Sequence, residues 1–85
     1  MIIGLALDSA PVGLLEADDI EVVLYTHPGT EKTLHKSDLI YGGNGVYFIR
    51  IDTSGWPTGI LYCRFRTIKD GINSEWYKRH VGFIQ

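Results

Sequence analysis

The stretch Gly42-Gly43-Asn44-Gly45-Val46-Tyr47-Phe48-Ile49-Arg50-Ile51-Asp52, followed within seven residues by Gly59-Ile60-Leu61-Tyr62-Cys63-Arg64-Phe65-Arg66, decides the fold class. It reads as a glycine-rich turn feeding one long strand, a Gly/Pro loop and a second strand. Successive side chains of a strand alternate between faces. Tyr47, Ile49 and Ile51 therefore share one face of the first strand, with Val46, Phe48, Arg50 and Asp52 on the other. In the second strand Leu61, Cys63 and Phe65 alternate with Tyr62, Arg64 and Arg66. The charged residues mark the outer faces, so the inner faces are predicted to be Tyr47-Ile49-Ile51 and Leu61-Cys63-Phe65.

The same period extends outward in both directions. Ile20-Glu21-Val22-Val23-Leu24-Tyr25-Thr26 is rich in β-branched and aromatic residues and places Ile20, Val22 and Leu24 opposite Glu21, the pattern of a half-buried strand. His27-Pro28-Gly29-Thr30 closes it with turn chemistry. Ile3, Leu5 and Leu7 alternate with smaller residues, so residues 1–19 are predicted to hold an edge or swapped strand and a surface connection through Pro11 and Gly13. Between Glu31 and Tyr41 a strand through Thr33 and Leu34 is favoured over a single helical turn. Lys69-Asp70-Gly71-Ile72-Asn73 supplies a hairpin signal, since Asp and Gly accept left-handed conformations. A last strand is predicted from about Ser74 to Ile84, with Trp76, Lys78, His80 and Ile84 on one face and Tyr77, Arg79, Val81 and Phe83 on the other.

Six or seven strands with turn signals between them and no convincing helix predict an all-β chain, a small antiparallel β-sandwich forming one domain over residues 1–85. The apolar fraction of 45% and aromatic fraction of 12% give it enough buriable surface to fold. The single Cys63 excludes an internal disulfide framework and points to a reducing, cytoplasmic setting in the producing cell. The opening apolar run meets Asp8 too early for a signal peptide, and no run reaches membrane-spanning length.

Catalytic signatures are missing from the pattern. Cys63 falls between Leu61 and Phe65 on the inner face, where a cysteine packs as a small apolar residue. His27, His35 and His80 lie in separate segments, and His35-Lys36-Ser37-Asp38 alone does not supply the three or four ligands a zinc site needs. Gly42–Gly45 lacks the following helix and the Lys-Ser/Thr pair of a phosphate loop. No catalytic residue, metal, cofactor or small-molecule substrate is therefore expected.

Binding is better represented. Tyr62, Arg64, Arg66, Trp76, Lys78 and His80 interleave aromatic and basic groups. Such a face suits a protein partner, in which Trp, Tyr and Arg serve as anchors, or a single nucleic-acid strand stacked on aromatics. The net charge of −2 weighs against nucleic acid, which is held by phosphate neutralisation. Residues 1–40 carry seven carboxylates against two lysines, and residues 41–85 carry six basic groups against three acidic. Opposite charge on two parts of one chain suits contact between copies.

The segment "GNGVYFIRID…GILYCRF…KDG", over about residues 44–84, resembles the E and F strands of immunoglobulin-like and fibronectin-type modules. There a G-x-Y strand start is followed by a Pro/Gly corner and a strand carrying a tyrosine, here Tyr62. It is also similar to the short immunoglobulin-like domains of tailed-bacteriophage virion proteins. The Cys pair and core Trp of antibody domains are missing, and Trp56 falls in the corner loop. The resemblance implies a non-catalytic structural or assembly module of a capsid, tail or baseplate that binds itself or another virion protein. A small inhibitor or binder of a host protein and a single-strand nucleic-acid binder are the other readings. The residues expected to touch a partner are Arg50, Trp56, Tyr62, Arg64, Arg66, Trp76 and Lys78.

Overall fold

The eleven residues Gly59–Lys69 form the longest strand, and the larger of two sheets is built around it. The computed structural model describes residues 2–6, 14, 16–26, 29–43 and 46–84. The strands among them are β1 (Ile2–Ala6), β2 (Asp19–Thr26), β3 (Thr30–Leu34), β4 (Ile40–Gly43), β5 (Val46–Arg50), β6 (Gly59–Lys69), β7 (Ile72–Asn73) and β8 (Tyr77–Ile84). The order is β1-β5-β4 in one sheet and β3-β2-β6-β7 in the other, where β8 also pairs with β6. Every pairing is antiparallel. The expected all-β architecture holds, with β7 as a two-residue hairpin arm. β5 and β6, the two strands of the deciding stretch, lie in different sheets.

The alternation of the sequence becomes burial. Ile20, Val22 and Leu24 of β2, Leu61, Cys63 and Phe65 of β6, and Tyr47, Ile49 and Ile51 in and just after β5 join one buried cluster shared by both sheets. Burying one such aliphatic or aromatic side chain contributes about 1.5–3 kcal/mol, so this layer dominates the stability. β1 lies at the edge of the smaller sheet and pairs with β5 through Ile2↔Arg50 to Ala6↔Val46. The expected connection through Pro11 and Gly13, the His27-Pro28 turn and the Asn44-Gly45 tip lie outside the described residues.

One segment forms the expected strand with a helical turn added, and another corrects the expectation. Between Glu31 and Tyr41 the chain forms both alternatives in succession: β3 ends at Leu34, and Lys36–Asp38 make a short 3-10 turn leading into β4. At the C-terminal end the strand begins at Tyr77, and its register against β6 shifts from Tyr62↔His80 to Leu61↔Gly82. One extra residue in a bulged strand reverses which side later residues face. Ile84 is thus buried, whereas Trp76 and Lys78 stay exposed, so these three do not share a face. The β6–β7 hairpin forms as predicted. Asp70 and Gly71 take φ of 51° and 77°, the left-handed pair a two-residue type I′ turn requires.

Candidate binding face

β2 and β6 are the centre of the site. Their register sets Glu21 opposite Arg66, Val23 opposite Arg64 and Tyr25 opposite Tyr62. These six alternate with the inner residues of both strands, so they stand on the outer face of the larger sheet. β3 adds Glu31 beside Tyr25 and Thr33 beside Val23, while β8 adds Lys78 beside Arg64. Trp76 immediately precedes β8 and lies over the arginines.

The side chains form a continuous chain of contacts. Arg66 donates from Nε and Nη2 to Glu21 Oε1, each at 2.8 Å. Its guanidinium carbon lies 4.5 Å from the centre of the Trp76 ring. Arg64 also approaches this indole, at 5.1 Å, and lies 5.6 Å from the Tyr25 ring. Arg64 Nη2 pairs with Glu31 Oε1 at 3.6 Å, and its buried Nε meets no hydrogen-bond acceptor. Tyr25 stacks on Tyr62 at 5.3 Å with 19° between the rings. Each cation–aromatic contact is worth roughly 0.5–2 kcal/mol, and an aromatic pair roughly 0.5–1.5 kcal/mol. Beneath them Val23 is only 5% exposed although it faces outward, which shows how closely the layer covers the sheet.

Of the residues expected to touch a partner, Tyr62, Arg64, Arg66, Trp76 and Lys78 are brought together on this face. Arg50 is not. It ends β5 in the other sheet, exposed and opposite Ile2. Trp56 also departs from its expected place on an open corner: it is half-buried and packs against the core cluster. The turn that carries it explains this, because Asp52 Oδ1 accepts from Ser54 N at 2.9 Å and Trp56 N donates to Thr53 O at 3.0 Å, folding the loop back. Sequence reasoning missed Glu21, Tyr25 and Glu31 as members of the site. The outward parity of β2 was visible, but its pairing with β6 spans more than forty residues of chain.

A second polar group lies at the junction of the sheets. Asp19 Oδ2 meets His35 Nδ1 at 2.9 Å, and Asp19 Oδ1 accepts from Ile20 N at 2.9 Å and Lys36 N at 3.0 Å. Burial works against the Asp19 charge, but these hydrogen bonds outweigh it and hold its carboxyl below the usual value. The same contact with Asp19 raises His35 above the ordinary imidazole value. Asp38 Oδ2 accepts from His35 N at 2.9 Å, so the His35–Asp38 spacing caps a turn. Among the described residues no group of three or more His, Cys, Asp and Glu is placed to hold a metal ion. Cys63 is fully buried in the core. No helix among the described residues is long and apolar enough to cross a membrane.

A cleft of about 360 Å³ beside the β6–β7 hairpin is lined by Thr67, Lys69, Ile72, Ser74 and Tyr77 among others. Compared with protein-family models, with curated proteins and with solved structures, the chain matches none.

Proposed function

We propose that the chain is a non-catalytic, immunoglobulin-like β-sandwich module that binds protein through the outer face of β3-β2-β6-β8, as a structural or assembly component of a tailed-phage virion. Support for the sandwich comes from the strand order. β1-β5-β4 against β3-β2-β6-β8 corresponds to strands B-E-D against C′-C-F-G of immunoglobulin-like domains, with β5 and β6 in the E and F positions. The Tyr62 ring stacks outward on Tyr25.

The observation that carries the binding reading is the ladder Tyr62-Tyr25-Arg64-Trp76-Arg66. Aromatic and arginine side chains dominate the centres of protein contacts. Here they are already held in place by one another, which lowers the entropy lost on association. Glu21 and Glu31 occupy both arginines, and this favours a protein partner over the phosphates of a nucleic-acid strand. An inhibitor of a host protein would use the same face. Two measurements test the proposal. Quantitative mass spectrometry of purified particles from the source of the chain is expected to find it at fixed copy number. A photo-crosslinker placed at Lys78 is expected to capture the chain itself or another virion protein, whereas one placed at Arg50 is not. Absence from particles rejects the virion setting, and equal capture from both positions rejects the face.

A further inference from the structure

We infer that the occupant of this face is a second copy of the chain, related by a two-fold axis that runs parallel to the strands between β2 and β6. This rests on the reading of the face as a protein contact. The face is polarised across its width. Glu21 and Glu31 stand on β2 and β3, and Arg64, Arg66 and Lys78 stand on β6 and β8. A two-fold axis along the strands lays β2 and β3 of one copy over β6 and β8 of the other. Acidic columns then meet basic columns. An in-plane axis across the strands would instead lay β6 on β6 and bring arginine against arginine, which costs several kcal/mol in a contact.

The internal ion pairs strengthen this geometry. Each Glu21–Arg66 pair is a dipole pointing across the strands, and the axis stacks two such dipoles antiparallel into a ring of four alternating charges. Glu21 Oε2 is left to receive the second copy, because both Arg66 donors use Oε1. The Tyr25–Tyr62 stacks meet in the same way, giving four rings about the axis. Four strands about 4.8 Å apart and some six residues long offer roughly 800 Å² in total over both copies, at the weak end of specific contacts. The dimer is therefore weak in dilute solution and becomes effective where copies are held at high local concentration, as in a repeating particle.

Analytical ultracentrifugation of the full chain, from about 10 µM to about 1 mM, tests it. The expected result is a monomer–dimer equilibrium whose dissociation constant rises about 10-fold or more between low and high salt. E21R and R66E each abolish self-association, because each turns the ring of four alternating charges about the axis into four like charges. Mixed together, the two variants associate more tightly than the native chain. E31K and K78E, at exposed positions, repeat the experiment without touching the Arg66–Glu21 contact and decide the matter if the first pair fails to fold by circular dichroism. A native chain that stays monomeric at about 1 mM in low salt overturns the inference, as does a dimer indifferent to all four reversals. If crosslinks from Lys78 still reach another virion protein, self-pairing alone fails and the binding face stands. If neither appears, both fail.

Discussion

Arg66 and Glu21 meet through two hydrogen bonds to a single carboxylate oxygen, both at 2.8 Å, and they do so across two strands that are 45 residues apart in sequence. The contact locks the register of β2 on β6 at the outer face, while Val22 and Phe65, also paired in that register, lock it in the core. Two charged groups about a quarter exposed retain part of their solvation, so the pair belongs between surface and buried ion pairs in strength. Glu21→Ala is expected to cost about 1–2 kcal/mol in urea unfolding, since it leaves the guanidinium against Trp76 without its acceptor. Arg66→Lys should lose part of this, because an ammonium cannot reproduce the two-donor geometry. A change within experimental error for both would show that the pair contributes nothing to the fold.

Stability should depend on pH through Asp19 and His35. His35 is raised above its unfolded value of 6.5 by the Asp19 contact, so its contribution is fully present below pH 6.5 and is lost as pH rises through the higher folded value. Asp19 is lowered below 3.8, and its contribution is present above pH 3.8 and disappears as pH falls through the folded value. The unfolding temperature of the native chain is therefore expected to decline as pH rises above 6.5 and through the raised folded value of His35. His35→Gln should flatten that decline, with the melting curve against pH as the readout, and an unchanged slope would remove His35 as its cause.

Gly42 is required by space. A Cβ there would overlap the edge of the Phe48 ring on the neighbouring strand β5. Gly42→Ala is expected to destabilise by about 1–2 kcal/mol, as the ring must leave its place. On a Phe48→Ala background the same substitution should cost little. This non-additivity in a double-mutant cycle is the measurement, and additive costs would mean the backbone, and not the ring, is what Gly42 accommodates.

Trp56 and Arg50 should behave oppositely. Trp56→Ala removes a ring packed on the core and is expected to cost about 1–3 kcal/mol. Arg50→Ala changes an exposed side chain in the smaller sheet and should stay within about 0.5 kcal/mol. Chemical denaturation of the two variants compares them directly.

Cys63 should be unreactive in the native state. It is fully buried in the core cluster, and the thiolate, which is the reacting form, is disfavoured there. Labelling by a thiol reagent is expected to proceed at the rate of unfolding and to accelerate in denaturant. Rapid labelling of the folded chain would place the thiol at the surface.

The inner residues of β2, β5 and β6 were legible because alternation is local: each strand's parity is written in its own five to eleven residues, and solvent selects the apolar face. The β6–β7 turn was legible for the same reason, since Asp70 and Gly71 carry their conformational preference with them. The final strand was misread where a single bulge at the Leu61–Tyr62 register shift reversed its parity, and nothing in the local alternation marks that step.

By itself the sequence determined that the chain is all-β, which residues face inward, and that basic and aromatic groups alternate along Tyr62–Arg66. Only the tertiary structure decided the company they keep. It put Arg50 in the smaller sheet, drew Trp56 onto the core, and brought Glu21, Tyr25 and Glu31 beside Arg66, Tyr62 and Arg64. The physical reason is that parity is set by nearest neighbours along the chain, whereas strand pairing is set by long-range packing, which chooses among many strands of similar pattern the one register that buries both apolar faces at once.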